Sequence, residues 1–231
     1  MTSGASHYPV QAILNAARRL SEERLNAVQA SLKACAELRQ DYQRRSRDQA
    51  PDHNLIRLLG VERSEVGLHS PLLADLLDPF GTHGQGGIFL RKFFDMLSGH
   101  WSDLSSLADT VTEPIPLGEW IIRRERERID VSIRNQRIGL LIFIENKIDA
   151  DEQRDQLTRY RALLTQQSSY HRWRLLLYLH PRAKNPPRTG VPDICLTYQD
   201  DIASWLRSCA NVGPDHIRGN LRQYIDVISN L

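Results

Sequence analysis

Residues 127–160 read ERIDVSIRNQRIGLLIFIENKIDADEQRDQLTRY, and the fold turns on how this stretch is parsed. Ile138 to Ile144 is apolar throughout, a short, partly β-branched run that reads as a strand buried on both faces. Glu145 and Lys147 stand at its end, and strand alternation points them to the same side. Unpaired buried charges are costly, so something must satisfy this acid and this lysine. The preceding strand alternates Ile129, Val131 and Ile133 against Asp130, Ser132 and Arg134. If the two strands form a hairpin, a tight turn at Asn135-Gln136 sets Asp130 opposite Leu141. Asp130 reaches Glu145 only if the turn centres near Arg137-Ile138. The expectation is a loop longer than two residues, or a bulge.

Two carboxylates brought together repel unless a proton or a cation lies between them. Hard divalent ions such as Mg2+ take oxygen ligands, commonly one or two carboxylates plus waters. A nearby lysine can position water and offset phosphate charge, so the set suits metal-assisted hydrolysis of a phosphodiester. A helix is expected next, capped by Asp149 or Asp151, with Gln153, Gln156, Leu157, Tyr160 and Leu164 on one face. Gln156 and Tyr160, four apart, both look toward the sheet end. Such a glutamine can hold a water or a phosphate, and the tyrosine can bond a phosphate or stack on a base. The alternative is a buried polar pair that completes the core.

Asp130, a gap of 14 residues and Glu145-x-Lys147, followed by Gln156-x-x-x-Tyr160, resemble the signature of the PD-(D/E)XK nucleases, with the QxxxY element of their exonuclease-like branch. The Arg-Ile-Asp, Glu-Asn-Lys and Gln-Leu-x-x-Tyr spacing resembles one bacterial family within that superfamily. That family also carries a Glu, His-Ser, Leu-Leu, Pro, His-Gly-Gln, Phe-Leu pattern upstream, which residues 61–90 resemble. The resemblance implies an α/β fold: a restriction-endonuclease-like core with a mixed central sheet flanked by helices. It implies a Mg2+-dependent nuclease, with Mn2+ as a substitute ion and DNA as the expected substrate. Asp130 and Glu145 would bind metal, and Glu65 would be a further ligand or hold the metal's water, with Glu62 as the alternative acid. Lys147 would orient or deprotonate the attacking water, and Gln156 would support the water or the phosphate.

Composition sets the bounds. The chain has 231 residues and a 41% hydrophobic fraction, enough for one cored domain with an appendage. No apolar run approaches the ~18 residues of a membrane span, and the first residues lack the pattern of a secretory signal. Cys35, Cys195 and Cys209 are few, odd in number and widely spaced, which fits reduced thiols in a cytoplasmic protein. Net charge is only +2, yet from Arg154 to Arg188 eight basic residues face Asp155 alone, with Tyr160, Tyr170, Trp173 and Tyr178 interleaved. A basic zone beside the acidic site suits a nucleic acid, with Arg159 and Tyr160 among its contacts. The alternative is an ordinary solvated surface.

Residues 11 to about 49 read as helix, with Leu25, Val28, Leu32 and Cys35 in a 3-4-3 stripe and a second start at Ser21. This 1–50 extension packs on its own core or pairs with a second copy as a homodimer; residues 51–231 form the nuclease-like domain. Arg44 to His53 reads as a linker. Ser70-Pro71 reads as the cap and first residue of a helix to Leu77, so Glu65 and His69 would come from a helix end or loop. His69, His83 and Gln85 either orient water, phosphate or metal ligands or build turns. The Gly81–Gly87 loop follows no strand and lacks a P-loop lysine, which argues against nucleotide binding. Residues 98–118 read as a loop with a short helix. Glu119 to Arg126 and Trp173 to Leu179 read as strands, His180 to Pro192 as a loop, Asp193 to Tyr198 as a strand, and two helices close the chain.

Two other functions stand beside the nuclease. One is a nucleic-acid-binding or scaffolding module without turnover, which the intact Asp130, Glu145 and Lys147 set argues against. The other is a nuclease subunit of a defence or mobile-element system whose specificity lies in a partner, since no separate reading module is evident.

Overall fold

The computed structural model describes residues 8–50, 52–101, 117–126, 129–150, 153, 155–183, 187 and 190–231. The chain divides into two units, residues 1–54 and 55–231. The first holds α1, a 42-residue helix over Tyr8–Gln49. The expected break at Ser21 is absent: no glycine or proline lies between Val10 and Gln49, and Pro9 sits in the first turn, where a missing N–H costs nothing. The stretch read as a linker from Arg44 is helical as far as Gln49, with Arg45 paired to Asp41 one turn back.

The second unit is built on five strands in the order β1-β2-β3-β4-β5: Ile121–Arg126, Ile129–Asn135, Leu140–Asn146, Trp173–His180 and Ile194–Thr197. β1-β2 and β2-β3 are antiparallel, whereas β3-β4 and β4-β5 are parallel. The sheet is therefore mixed, as expected, and β3 is buried along its whole length. Helices cover both faces. On one face Val131, Ile133, Ile142, Ile144, Leu175, Leu177 and Leu179 join α3 (Ser70–Leu77), α4 (Ile88–Ser98), α6 (Ala203–Ser208) and α7 (Asp215–Ile228) in the larger core. On the other, Leu141, Phe143, Leu176 and Tyr178 pack against Leu157, Tyr160 and Leu164 of α5 (Gln156–Gln166). Ile129, at the start of β2, joins this second cluster and not that of Val131 and Ile133.

Two helix starts differ from expectation. A π-helical turn, Glu65–His69, runs straight into α3, so Ser70 has helical φ and ψ and is not a cap. Ser64 caps the turn, its Oγ accepting from the Gly67 N–H at 3.1 Å. The wide turn explains why Pro71 is tolerated: its missing N–H falls where the hydrogen-bond pattern is already shifted. α5 begins at Gln156, later than a cap at Asp149 implies; Asp149 is ion-paired with Arg63, and Asp151 lies outside the described residues. Gln153 therefore precedes the helix. The short α2, Leu55–Leu58, ends near Gly60 at φ 66°. The expected loop and helix of residues 98–118 fall mostly outside the described residues.

Candidate active site

The β2–β3 register pairs Val131 with Ile144 and Asn135 with Leu140, so one step on, Asp130 faces Glu145. The connection is the four residues 136–139, longer than a tight hairpin turn, as the spacing requires. Gly139 closes it at φ 69°, and its carbonyl accepts from the Arg172 and Trp173 N–H groups at 3.2 and 3.0 Å. The loop that sets the register thus also seats the start of β4.

Asp130 and Glu145 lie on the α5 side of the sheet. Asp130 Oδ2 accepts from the Asn146 backbone N–H at 2.7 Å. Glu145 is fully buried, and Lys147 Nζ stands 2.6 Å from its Oε1. Glu145 Oε2 is buried without a hydrogen bond among the described residues. Burial first, and then the charge of Asp130, push the Glu145 carboxyl up to about 7, against the pull of Lys147. Burial alone would lower the Lys147 ammonium, but Glu145, and after it Asp130 and Glu65, outweigh that and hold it above its ordinary value. Lys147 is thereby kept as a cation. The Asp130 charge still raises Glu145 against the pull of Lys147, and a cation placed between the two carboxylates would relieve it.

Gln156 and Tyr160 meet as their spacing predicts. Gln156 Nε2 donates to the Tyr160 hydroxyl at 2.9 Å, and both side chains are buried. Gln156 Oε1 is buried with no hydrogen bond among the described residues, an acceptor left open. The Tyr160 hydroxyl is raised by burial and by Glu145, so it stays a neutral donor.

Glu65 reaches the same place from the other side of the chain. Its Oε1 accepts from the backbone N–H groups of Ile148, Asp149 and Ala150 at 2.5, 3.0 and 3.1 Å. These follow Lys147 directly, so the carboxylate clamps the loop that leaves the site, and the Arg63–Asp149 pair holds it a second time. Glu62 meets the protein differently: its carbonyl accepts from His69 Nε2 at 2.9 Å. That bond makes Nε2 the donor, so His69 Nδ1 accepts from the Tyr224 hydroxyl at 2.9 Å. Burial lowers the His69 imidazole to about 4, and it is neutral in this role. His69 is therefore a wedge behind the Glu65 turn.

The remaining residues of the sequence reading are placed elsewhere. His83 donates through Nε2 to the Asp78 carbonyl at 3.0 Å and accepts the Gln85 N–H on Nδ1 at 2.9 Å, while the Gln85 side chain donates to the His83 carbonyl. Both spend their hydrogen bonds inside their own loop, the turn-building role. Arg159 lies exposed on α5. The basic zone is partly neutralised by acids that follow it in sequence: Arg161 pairs with Asp193 at 2.8 Å and Arg182 with Asp200.

Sequence reasoning missed a support behind β3. The Asn146 side chain points to the larger core, where its Oδ1 accepts from the Tyr198 hydroxyl at 2.6 Å and its Nδ2 donates to Ser70 Oγ at 3.2 Å. Asn146 stands between Glu145 and Lys147, so this anchor fixes the strand end that aims both. A buried asparagine between two charged residues was the available signal.

Among the described residues no three His, Cys, Asp or Glu side chains gather closely enough to hold a metal ion. The donor set of Asp130 and Glu145 nonetheless fits a hard divalent ion: oxygen only, opposed across a strand pair, with the Asp130 charge raising the Glu145 carboxyl. A family model described as the PD-(D/E)XK nuclease superfamily matches residues 53–229. No curated protein and no solved structure matches the chain.

Proposed function

Because the chain belongs to the PD-(D/E)XK nuclease superfamily, we propose that it is a Mg2+-dependent deoxyribonuclease centred on Asp130, Glu145 and Lys147. The observation that carries this reading is the Asp130–Glu145 pair, in which the buried Glu145 carboxyl is raised by burial and by the Asp130 charge despite Lys147 beside it. A divalent ion held by these carboxylates would relieve their repulsion and draw charge from the phosphodiester. The chain's own groups do the rest. Lys147, held as an ammonium, offsets the negative charge that grows on the phosphate as water attacks. Gln156 Oε1 accepts a hydrogen from water or substrate, and Tyr160 holds that amide in place. Glu65 fixes the backbone beyond Lys147, and its carboxylate would hold a water of the metal. Arg159 and Tyr160 would contact the nucleic acid.

We also propose a homodimer through α1, on which Ile13, Leu20, Leu25, Val28, Leu32 and Leu38 are exposed. Three free cysteines fit a reducing cytoplasm. Among the described residues no helix is long and apolar enough to cross a membrane.

The test is cleavage of plasmid, linear duplex, single-stranded DNA and RNA with Mg2+ or Mn2+ and with EDTA. Wild type is run beside Glu145→Gln and Lys147→Ala. Removing one partner of a buried ion pair costs about 3–5 kcal/mol, so each variant is checked for folding first. Metal-dependent cutting of DNA that folded Glu145→Gln lacks is the expected result. Cutting confined to RNA would overturn the substrate assignment. Neither cutting nor Mn2+ binding by calorimetry would favour the binding module.

A further inference from the structure

The row of site residues crosses the sheet from β2 to β3, and it continues onto β4. Glu145 pairs with Tyr178 and Asn146 with Leu179, and the Lys147 N–H donates to the Leu179 carbonyl at 2.9 Å. Carried one residue further, this register sets His180 beside Lys147, on strands about 4.8 Å apart. Period-two alternation puts His180 on the face of Tyr178, which is the α5 face of Tyr160 and Glu145. The contact of the Tyr178 and His180 rings, with centroids 5.5 Å apart, agrees. His180 belongs to the strand and not to the loop in which the sequence reading began it.

The ring is more than nine-tenths buried and its tautomer is set. Nδ1 lies 2.8 Å from the Pro181 carbonyl, which can only accept, so Nδ1 carries the hydrogen and the neutral ring presents its lone pair on Nε2. Nε2 takes no hydrogen bond among the described residues. Hydrolysis needs an acceptor for the proton of the attacking water. Lys147 Nζ is already engaged by Glu145 Oε1 at 2.6 Å, whereas the His180 Nε2 lone pair is not engaged among the described residues.

We propose that His180 is a further catalytic residue, whose Nε2 accepts the proton of the attacking water. This rests on the nuclease reading above. The water oxygen forms a bond to phosphorus as its proton passes to Nε2. The P–O bond to the leaving nucleotide breaks, its electron pair stays on the leaving oxygen, and that oxygen takes a proton from solvent. The imidazolium then returns its proton to solvent. Lys147, one strand away, faces the Glu145 carboxylate, so the two neighbours divide the work: one stabilises charge and the other moves a proton.

His180→Asn is the variant of choice, because its amide can still donate to the Pro181 carbonyl while it lacks Nε2; His180→Ala is the second. With Mg2+, both are expected to lose on the order of 100-fold in kcat, within the usual range for a general base, with KM changed less than about threefold. Added imidazole is expected to return at least about tenfold of that loss to folded His180→Ala. Wild-type kcat in both variants, a loss confined to KM, or no imidazole rescue would each overturn the proposal. A second readout does not depend on turnover. With Ca2+ replacing Mg2+ and a DNA duplex shown bound by gel shift, His180 should be shielded from carbethoxylation by diethyl pyrocarbonate; an unshielded His180 overturns its place at the substrate. A wild type that binds DNA and shields His180 but cuts no nucleic acid would count against the nuclease reading and against the proton transfer alike, whereas cutting with His180 unshielded would sink the histidine alone.

Discussion

Glu145 ties chemistry to stability at the level of one side chain. Its folded value of about 7 lies above the ordinary 4.5. A carboxyl raised in this way supports the fold fully below 4.5, and that support is lost as the pH rises through 7. The ceiling on the loss is about 3 kcal/mol at ~1.4 kcal/mol for each pH unit of displacement. His69 works in the opposite direction: its imidazole, lowered to about 4, supports the fold above 6.5 and ceases to as the pH falls through 4. The difference between wild type and Glu145→Gln isolates the first effect. Urea unfolding in EDTA at pH 5 and pH 8 should show wild type losing up to about 3 kcal/mol more than the variant over that interval. Equal losses would mean that Glu145 is already ionised at pH 5. Glu65 offers a second comparison. Glu65→Ala strips the acceptor from three N–H groups, and should cost about 1–2 kcal/mol because water can replace it only at the exposed Asp149 and Ala150. Glu65→Gln keeps an acceptor and loses the charge. If Glu65 serves metal as well as backbone, calorimetry will show weaker Mn2+ binding in both variants, while only the alanine loses stability. Glu145 and Lys147 stood out because charge at the end of an apolar run is anomalous, and Asp130 stood out by its spacing from them. Tyr198 and Tyr224 were not, since an aromatic in a helical segment announces only burial.

Among elements, the β2–β3 hairpin was the most legible. Counting residues between Asp130 and Glu145 excluded a tight turn, and four loop residues are found. The loop depends on Gly139, which combines a left-handed φ of 69° with a tight fit: a Cβ there would lie 3.2 Å from the Arg172 N and 3.3 Å from the Arg172 Cβ. Gly139→Ala should therefore destabilise the fold by about 1–2 kcal/mol, through strain and the shifted start of β4. Urea titration checks this, and an unchanged midpoint would show that the loop can relax. Helix starts were less legible. Ser70-Pro71 and Ser64-Glu65 are both plausible starts, and local pattern does not reveal that a widened turn joins them. Asp149 looks like a cap because its tie to Arg63, 86 residues earlier, is invisible to local reading.

At the scale of the whole molecule, the mixed sheet and its two covered faces followed from reading two buried strands, a crossover helix and a third strand in order. The charge distribution was harder to read: Asp193 and Asp200 lie beyond the basic stretch in sequence, and the fold returns them to Arg161 and Arg182. α1 is the part whose role the sequence left most open. If a second copy covers its apolar residues, light scattering coupled to gel filtration should give a mass near twice 26.5 kDa. Leu25→Glu with Leu32→Glu should halve it, since buried acids without partners are strongly disfavoured. A monomeric wild type would remove the dimer.

The opposition of Asp130 and Glu145 across a short loop has a kinetic side. A hairpin closes over a small sequence separation, whereas the parallel pairing of β3 with β4 must wait for the helix between them. The two acids are thus pushed together while the chain is still assembling. Their repulsion should weigh on the rate of refolding more than on the rate of unfolding. In stopped-flow experiments without metal, raising the pH from 5 to 8 should slow the refolding limb of wild type and leave that of Glu145→Gln nearly level. The same pair that would grip an ion at the end of folding is an obstacle along the way, and the ion would speed the chain past it.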